Sequence, residues 1–166
     1  MRHSVTGWSL GAALFFCFST LSATAGTLQV VGQGGSVLIE DDAPEGAEWC
    51  LSWNHSVTGG AVRDCFANRA GRMMLDRSFL HDFAAGLGEV AGRGHIEAAA
   101  GGGYWIRNMD EPVQGNALAL RVGQRGVDHR LHIGAHVHAL SDLAAGQRVV
   151  LRLIPRPQSE KVQPDG

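Results

Sequence analysis

Lysine is almost missing from this chain. Of its 14 Lys and Arg residues only Lys161, near the C-terminal end, is a lysine. That excludes a phosphate-binding P-loop lysine and leaves a Schiff-base lysine without a candidate in the folded part. An excess of positive charge is missing too, since 14 basic residues face 16 acidic ones for a formal net charge of −2. Binding a phosphate backbone requires a basic surface, so nucleic acid is not an expected partner. No C-x-x-C pair occurs among the 3 cysteines. The usual zinc-ribbon and thioredoxin-like redox motifs are therefore absent. Long hydrophobic runs are scarce. The longest, Trp8–Leu21, has fourteen residues, short of the ~20 that a helix needs to cross a bilayer.

That run has a context. Arg2 precedes it, and Ala23-Thr24-Ala25 follows with small residues where signal peptidase reads. The three-part pattern predicts a secretory signal over residues 1–25, cleaved after Ala25, and an exported product without a stable membrane span. Cys17 follows two phenylalanines, which does not suit lipidation. Cleavage would leave Cys50 and Cys65 in an oxidising compartment, where they are expected as a disulfide. They are directly opposed if the intervening turn centres on Val57–Thr58 and offset if it centres on Gly59-Gly60. Two reduced, buried thiols are the alternative.

Glycine is abundant, with 23 residues, about twice its ordinary ~7% share. Apolar residues at 45% and charged residues at 18% are a globular composition. Residues 26–155 are expected to form one domain. Residues 156–166, polar and proline-rich, are expected as a disordered tail. Within the domain, short apolar runs alternate with turn residues. Strands are expected over Thr27–Val31, Ser36–Glu40, Glu48–His55, Ala61–Phe66 and Arg72–Phe79. More follow over Gly103–Asn108, Ala117–Val122, His129–Ile133, His136–Leu140 and Gln147–Ile154. This is an all-β pattern, a compact sandwich or partly open barrel of about eight to ten short, mostly antiparallel strands. A single helical turn is expected at Ser141–Ala145, capped by Ser141 and ended by Gly146. The Ala-rich stretch Asp82–Gly92 carries three glycines that oppose a helix. Its Gly86–Ala91 segment fits the loose dinucleotide fingerprint, but without the strand-turn-helix context that the fingerprint requires.

Histidine offers the main chemistry. His55 alternates with Trp49, Leu51 and Trp53, and His129 with Leu131 and Ile133. Alternation places each on the packed face of its strand. The two are expected to lie closer to each other than to His136 or His138, in a polar pocket with Asp64 or the Ser56 backbone. Ser56 adjoins His55 but points to the opposite face, and no G-x-S-x-G elbow is present. His132 falls on the solvated face with Asp128 and Arg130. His136 and His138 share a face and suit adventitious metal. Ligation needs three or four convergent donors, which spacing leaves open, and no cofactor is implied.

The order of motifs is distinctive: Trp53-x-His55-Ser56-Val57, then Val62, Asp64 and Phe66, then Phe83-Ala84-Ala85-Gly86-Leu87-Gly88, then Leu118–Gly123 and His129-Arg130-Leu131. It resembles domain-of-unknown-function family 1850, small exported or membrane-anchored bacterial proteins. Their genes commonly neighbour TAXI-type TRAP (tripartite ATP-independent periplasmic) transporters. The chain departs from the family pattern at Trp53, where Tyr is usual, at Ala84, where Gly is usual, and at Asp64, where Glu is more usual. The resemblance implies a periplasmic, non-enzymatic accessory of a TAXI-type uptake system. Its partners would be the transporter membrane subunits or the solute-binding protein. The alternative is a small-ligand or metal-binding domain, possibly hydrolytic, using His55, Asp64 and His129.

Overall fold

A computed structural model describes residues 26–81 and 93–156. The expected signal segment, the Asp82–Gly92 stretch with its glycine motif, and most of the expected tail lie outside the described residues. The fold is all-β, with two antiparallel sheets packed as an open sandwich and not closed into a barrel. The strands are β1 (Gly26–Val31), β2 (Val37–Asp42), β3 (Glu48–Asn54), β4 (Ala61–Arg69), β5 (Arg72–Leu80), β6 (His95–Ala98), β7 (Tyr104–Arg107), β8 (Glu111–Pro112), β9 (Ala117–Arg121), β10 (Arg130–Ile133), β11 (His136–Ala139) and β12 (Arg148–Pro155). The smaller sheet runs β2-β1-β12-β9. The larger runs β11-β10-β3-β4-β5-β7-β6, with β8 paired to β5.

Ten of the twelve strands correspond to the alternating segments of the sequence. The other two carry little pattern. All four residues of β6 are exposed, and β8 is a two-residue pair ending in proline, which suits a sheet margin because proline cannot donate to the ladder.

The core lies between the sheets. Leu28 and Val30 of β1 and Val149, Leu151 and Leu153 of β12 meet Trp49 and Leu51 of β3 and Leu131 and Ile133 of β10. Their period of two puts each set on one face, and burying each such side chain contributes about 1.5–3 kcal/mol. A second cluster, Leu80, Tyr104, Ile106 and Met109, fills the same side of the large sheet around β5 and β7. Gly103, at φ +77°, lets β7 approach β5. A Cβ there would stand 2.6 Å from the Leu80 carbonyl oxygen and 2.8 Å from the Phe79 ring.

The turn between β3 and β4 settles the cysteines. Asn54 pairs with Ala61, so the turn centres on Val57–Thr58 and Cys50 stands opposite Cys65. The two form a disulfide. The helical turn α1 spans Leu140–Ala144, but no side chain caps it. Ser141 lies inside it, and its hydroxyl donates to the Gly123 carbonyl (2.9 Å) and accepts from the His129 backbone N–H (2.9 Å). No described helix is long and apolar enough to cross a membrane.

Candidate functional site

The outward face of the large sheet carries a groove. Strand registry aligns Arg130, Ser52, Arg63, Phe79, Trp105 and Glu97 in one row across six strands. These residues alternate with those that build the core, so the segments that fill the interior also project this row outward. The row forms the floor of a groove of about 740 Å³.

Its electrostatics are lopsided. Arg130 donates to Asp128 at 2.8 Å, and Arg107 pairs with Glu97 while lying 5.2 Å from the Trp105 ring centre. Arg63, mid-row, makes no hydrogen bond or ion pair with any described residue. A guanidinium stays charged at any physiological pH and offers a planar fork that matches a carboxylate. Phe79 and Trp105 pack with tilted rings 5.3 Å apart, giving the groove an aromatic wall beside the cation.

One polar pair borders this row. Ser52 Oγ and His132 Nε2 lie 2.8 Å apart. Burial, and then the Arg63 and Arg130 charges, hold the His132 ring below its ordinary pKa. At neutral pH the ring is therefore uncharged, with one of its two nitrogens able to accept a proton.

The residues singled out by motif are dispersed. β3 ends at Asn54, so His55 leaves the ladder before alternation can turn it inward. It is half-buried, and its Nδ1 accepts from the Thr58 backbone N–H at 3.3 Å. Ser56 is exposed in the same turn. Asp64 does face the core side, opposite Leu51, where it accepts from Ser78 Oγ at 2.6 Å. Desolvation raises its pKa, opposed by the Ser78 bond and the Arg93 charge. His129 is buried, stacked at 5.7 Å on Trp53. Its Nδ1 accepts from the Gly123 N–H at 2.9 Å, and burial lowers its pKa. Among the described residues no hydrogen bond or ring contact joins His55, Asp64 and His129. His136 and His138 face Asp41 of the other sheet instead.

A sequence profile, Domain of unknown function (DUF1850), matches residues 50–140, more than half of the chain. The chain belongs to the DUF1850 family. No curated protein and no solved structure matches it. The DUF1850 match runs from mid-β3 to the start of α1. It contains all of the groove residues named above, together with His136 and His138, whereas β1, β2 and β12 fall outside it. The sequence pattern had marked His55 and His129 as inward, and of the two His129 is buried. Arg63, Phe79 and Trp105 were legible only as the opposite phase of the same alternation.

Proposed function

We propose that this protein is an exported, non-enzymatic domain that holds a small anionic solute with an aromatic or apolar portion in the arginine-lined groove. Its place would be the periplasm, as an accessory to a TAXI-type TRAP uptake system, in contact with the membrane subunits or the solute-binding protein. The setting is supported by the family resemblance and by the signal-like N-terminal segment. The binding role is carried by one observation: Arg63, with no partner among the described residues, stands in a groove walled by Phe79 and Trp105. An unpaired guanidinium beside an aromatic wall suits a carboxylate whose apolar part stacks on the rings.

Trp53 and Trp105 both line the groove, so their fluorescence reports occupancy. Titration with benzoate and phenylacetate is expected to quench it saturably, with acetate much weaker. Arg63→Ala is expected to remove the response while leaving the melting temperature near the parent's. Equal quenching in the variant, or no saturable response to any of these anions, defeats the reading.

The Ser52–His132 pair favours a second reading, ester hydrolysis in the same groove. Ser52 Oγ would pass its proton to His132 Nε2 and attack an ester carbonyl, and the expelled alkoxide would recover that proton. A water that gives its proton to His132 would then attack the acyl-serine, releasing the acid as the proton returns to Ser52 Oγ. Among the described residues no carboxylate hydrogen-bonds the His132 ring, so the base lacks the orienting group of a full triad. A fluorophosphonate probe decides the matter. Labelling at Ser52 that is lost in His132→Ala supports hydrolysis, and an unlabelled Ser52 excludes it.

A further inference from the structure

The sandwich is closed at one margin by a cluster that the groove does not involve. Asp41 lies on β2, the edge of the small sheet, and His136 and His138 on β11, the edge of the large one. Asp41 shares the inward face of Ile39 and pairs with the buried Leu28. Its side chain is only 10% exposed. A carboxylate in that position needs compensation, yet no arginine among the described residues pairs with it. Its Oδ1 meets His136 Nδ1 at 2.6 Å and its Oδ2 meets His138 Nε2 at 2.6 Å. Among the described residues these form the one group whose three ligating atoms all lie within 4.8 Å of one another.

We propose that Asp41, His136 and His138 bind a divalent transition-metal ion of the zinc class, which pins the two sheet edges together. Two imidazole nitrogens and one carboxylate oxygen suit zinc or copper and do not suit calcium or magnesium, which take all-oxygen shells. Zinc bonds of ~2.0–2.2 Å place tetrahedral donors about 3.3 Å apart. The present 2.6 Å contacts therefore open by less than an ångström to admit the ion. The approach is electronegative, because a neighbouring hollow of about 480 Å³ is lined by Glu40, Asp42 and Glu48 as well as by Asp41 and His136. His136 is 67% exposed, so a fourth coordination position faces solvent and would hold water. The donors are separated by about ninety-five residues in sequence, so the ion closes a long loop between the sheets.

The protein is purified without a histidine tag, stripped with a chelator and titrated with Zn2+ by calorimetry. One equivalent is expected to bind at micromolar Kd or tighter. At a hundredfold excess over Kd the melting temperature is expected to rise by about 10 °C. Asp41→Asn and His138→Ala are each expected to weaken the strongest site by at least tenfold. His95→Ala, an exposed histidine elsewhere, serves as the control and is expected to bind as the parent. Co2+ replaces Zn2+ as a spectroscopic check, and visible bands of four-coordinate intensity are expected that vanish in His138→Ala. Unchanged zinc affinity in both ligand variants, or parent binding no tighter than millimolar, overturns the assignment. Benzoate quenching of the groove is expected to survive in Asp41→Asn, so the two sites fail or stand separately.

Discussion

Two polar concavities of the molecule are opposite in character. The groove on the open face of the large sheet is basic and aromatic, with Arg63, unpaired among the described residues, beside Phe79. The hollow at the margin between the sheets is acidic and carries imidazoles. The groove is assembled within one sheet, from strands adjacent in registry. The margin site needs both sheets, because Asp41 belongs to one and both histidines to the other. The groove's shape therefore depends on strand registry, whereas the margin site depends on how the sheets stack. One presents a guanidinium that would suit an anion. The other gathers donors that a cation can draw together.

The largest expected effect strikes the groove's foundation. Cys50 and Cys65 tie β3 to β4 two residue pairs away from Ser52 and Arg63. Closing that loop of about fifteen residues contributes roughly 3 kcal/mol in the chain-entropy account. Cys50→Ser with Cys65→Ser should lower stability by about that amount in denaturant melts and weaken benzoate more than zinc. Equal losses at both sites would erase the distinction between a single-sheet and a two-sheet construction.

Next comes charge. Arg63→Ala should cost about 1.5–3 kcal/mol of carboxylate affinity, the range for a charged hydrogen bond. The parent's affinity should also fall as salt rises. Zinc binding should be unaffected by the substitution. Titrations at low and high ionic strength check both statements.

Smaller again is the histidine contrast. His129 is buried with its Nδ1 bound to the Gly123 N–H, so His129→Ala should destabilise by about 2 kcal/mol through a stranded donor and lost stacking. His55 only supports a turn, and His55→Ala should cost under about 1 kcal/mol. The His129 pKa is depressed in the folded state. Its contribution is therefore fully present above the unfolded value of about 6.5 and is lost as pH falls through the lower folded value. Melts between pH 7 and pH 5 should show a steeper acid decline in the parent than in His129→Ala.

The smallest effect has the opposite sign. The raised pKa of Asp64 means that its favourable contribution exists below the unfolded value of about 3.9 and is lost as pH rises through the folded value. Asp64→Asn should match the parent near pH 3 and gain on it by up to about 1 kcal/mol at pH 7. A variant less stable at pH 7 would mean that the ionised carboxylate is well accommodated by Ser78 and Arg93.

Much of this was readable along the chain. Alternation located β3, β10 and β12 because a strand's period of two is written in its own residues. The same period carried Asp64 and His129 to the packed side. It failed for His55, since the strand stopped one residue earlier and only the Asn54–Ala61 closure shows where. It also passed over Ser52, Arg63 and Trp105, for outward residues look solvated until their strands are laid side by side. The disulfide stood between, depending on a turn centre that the sequence left at two positions.

Local composition determined, by itself, the all-β class, the strand faces, the lack of lysine chemistry and the family pattern. These depend on neighbours within a few residues, where backbone geometry links pattern to direction. Only the tertiary structure decided which strands pair, and hence that Arg63 lies between Ser52 and Phe79, and that Asp41 meets His136 and His138 across two sheets. Those contacts join residues up to ninety-seven positions apart. Long-range pairing is selected by the burial of the whole core and not by any segment's own pattern, so no local reading contains it.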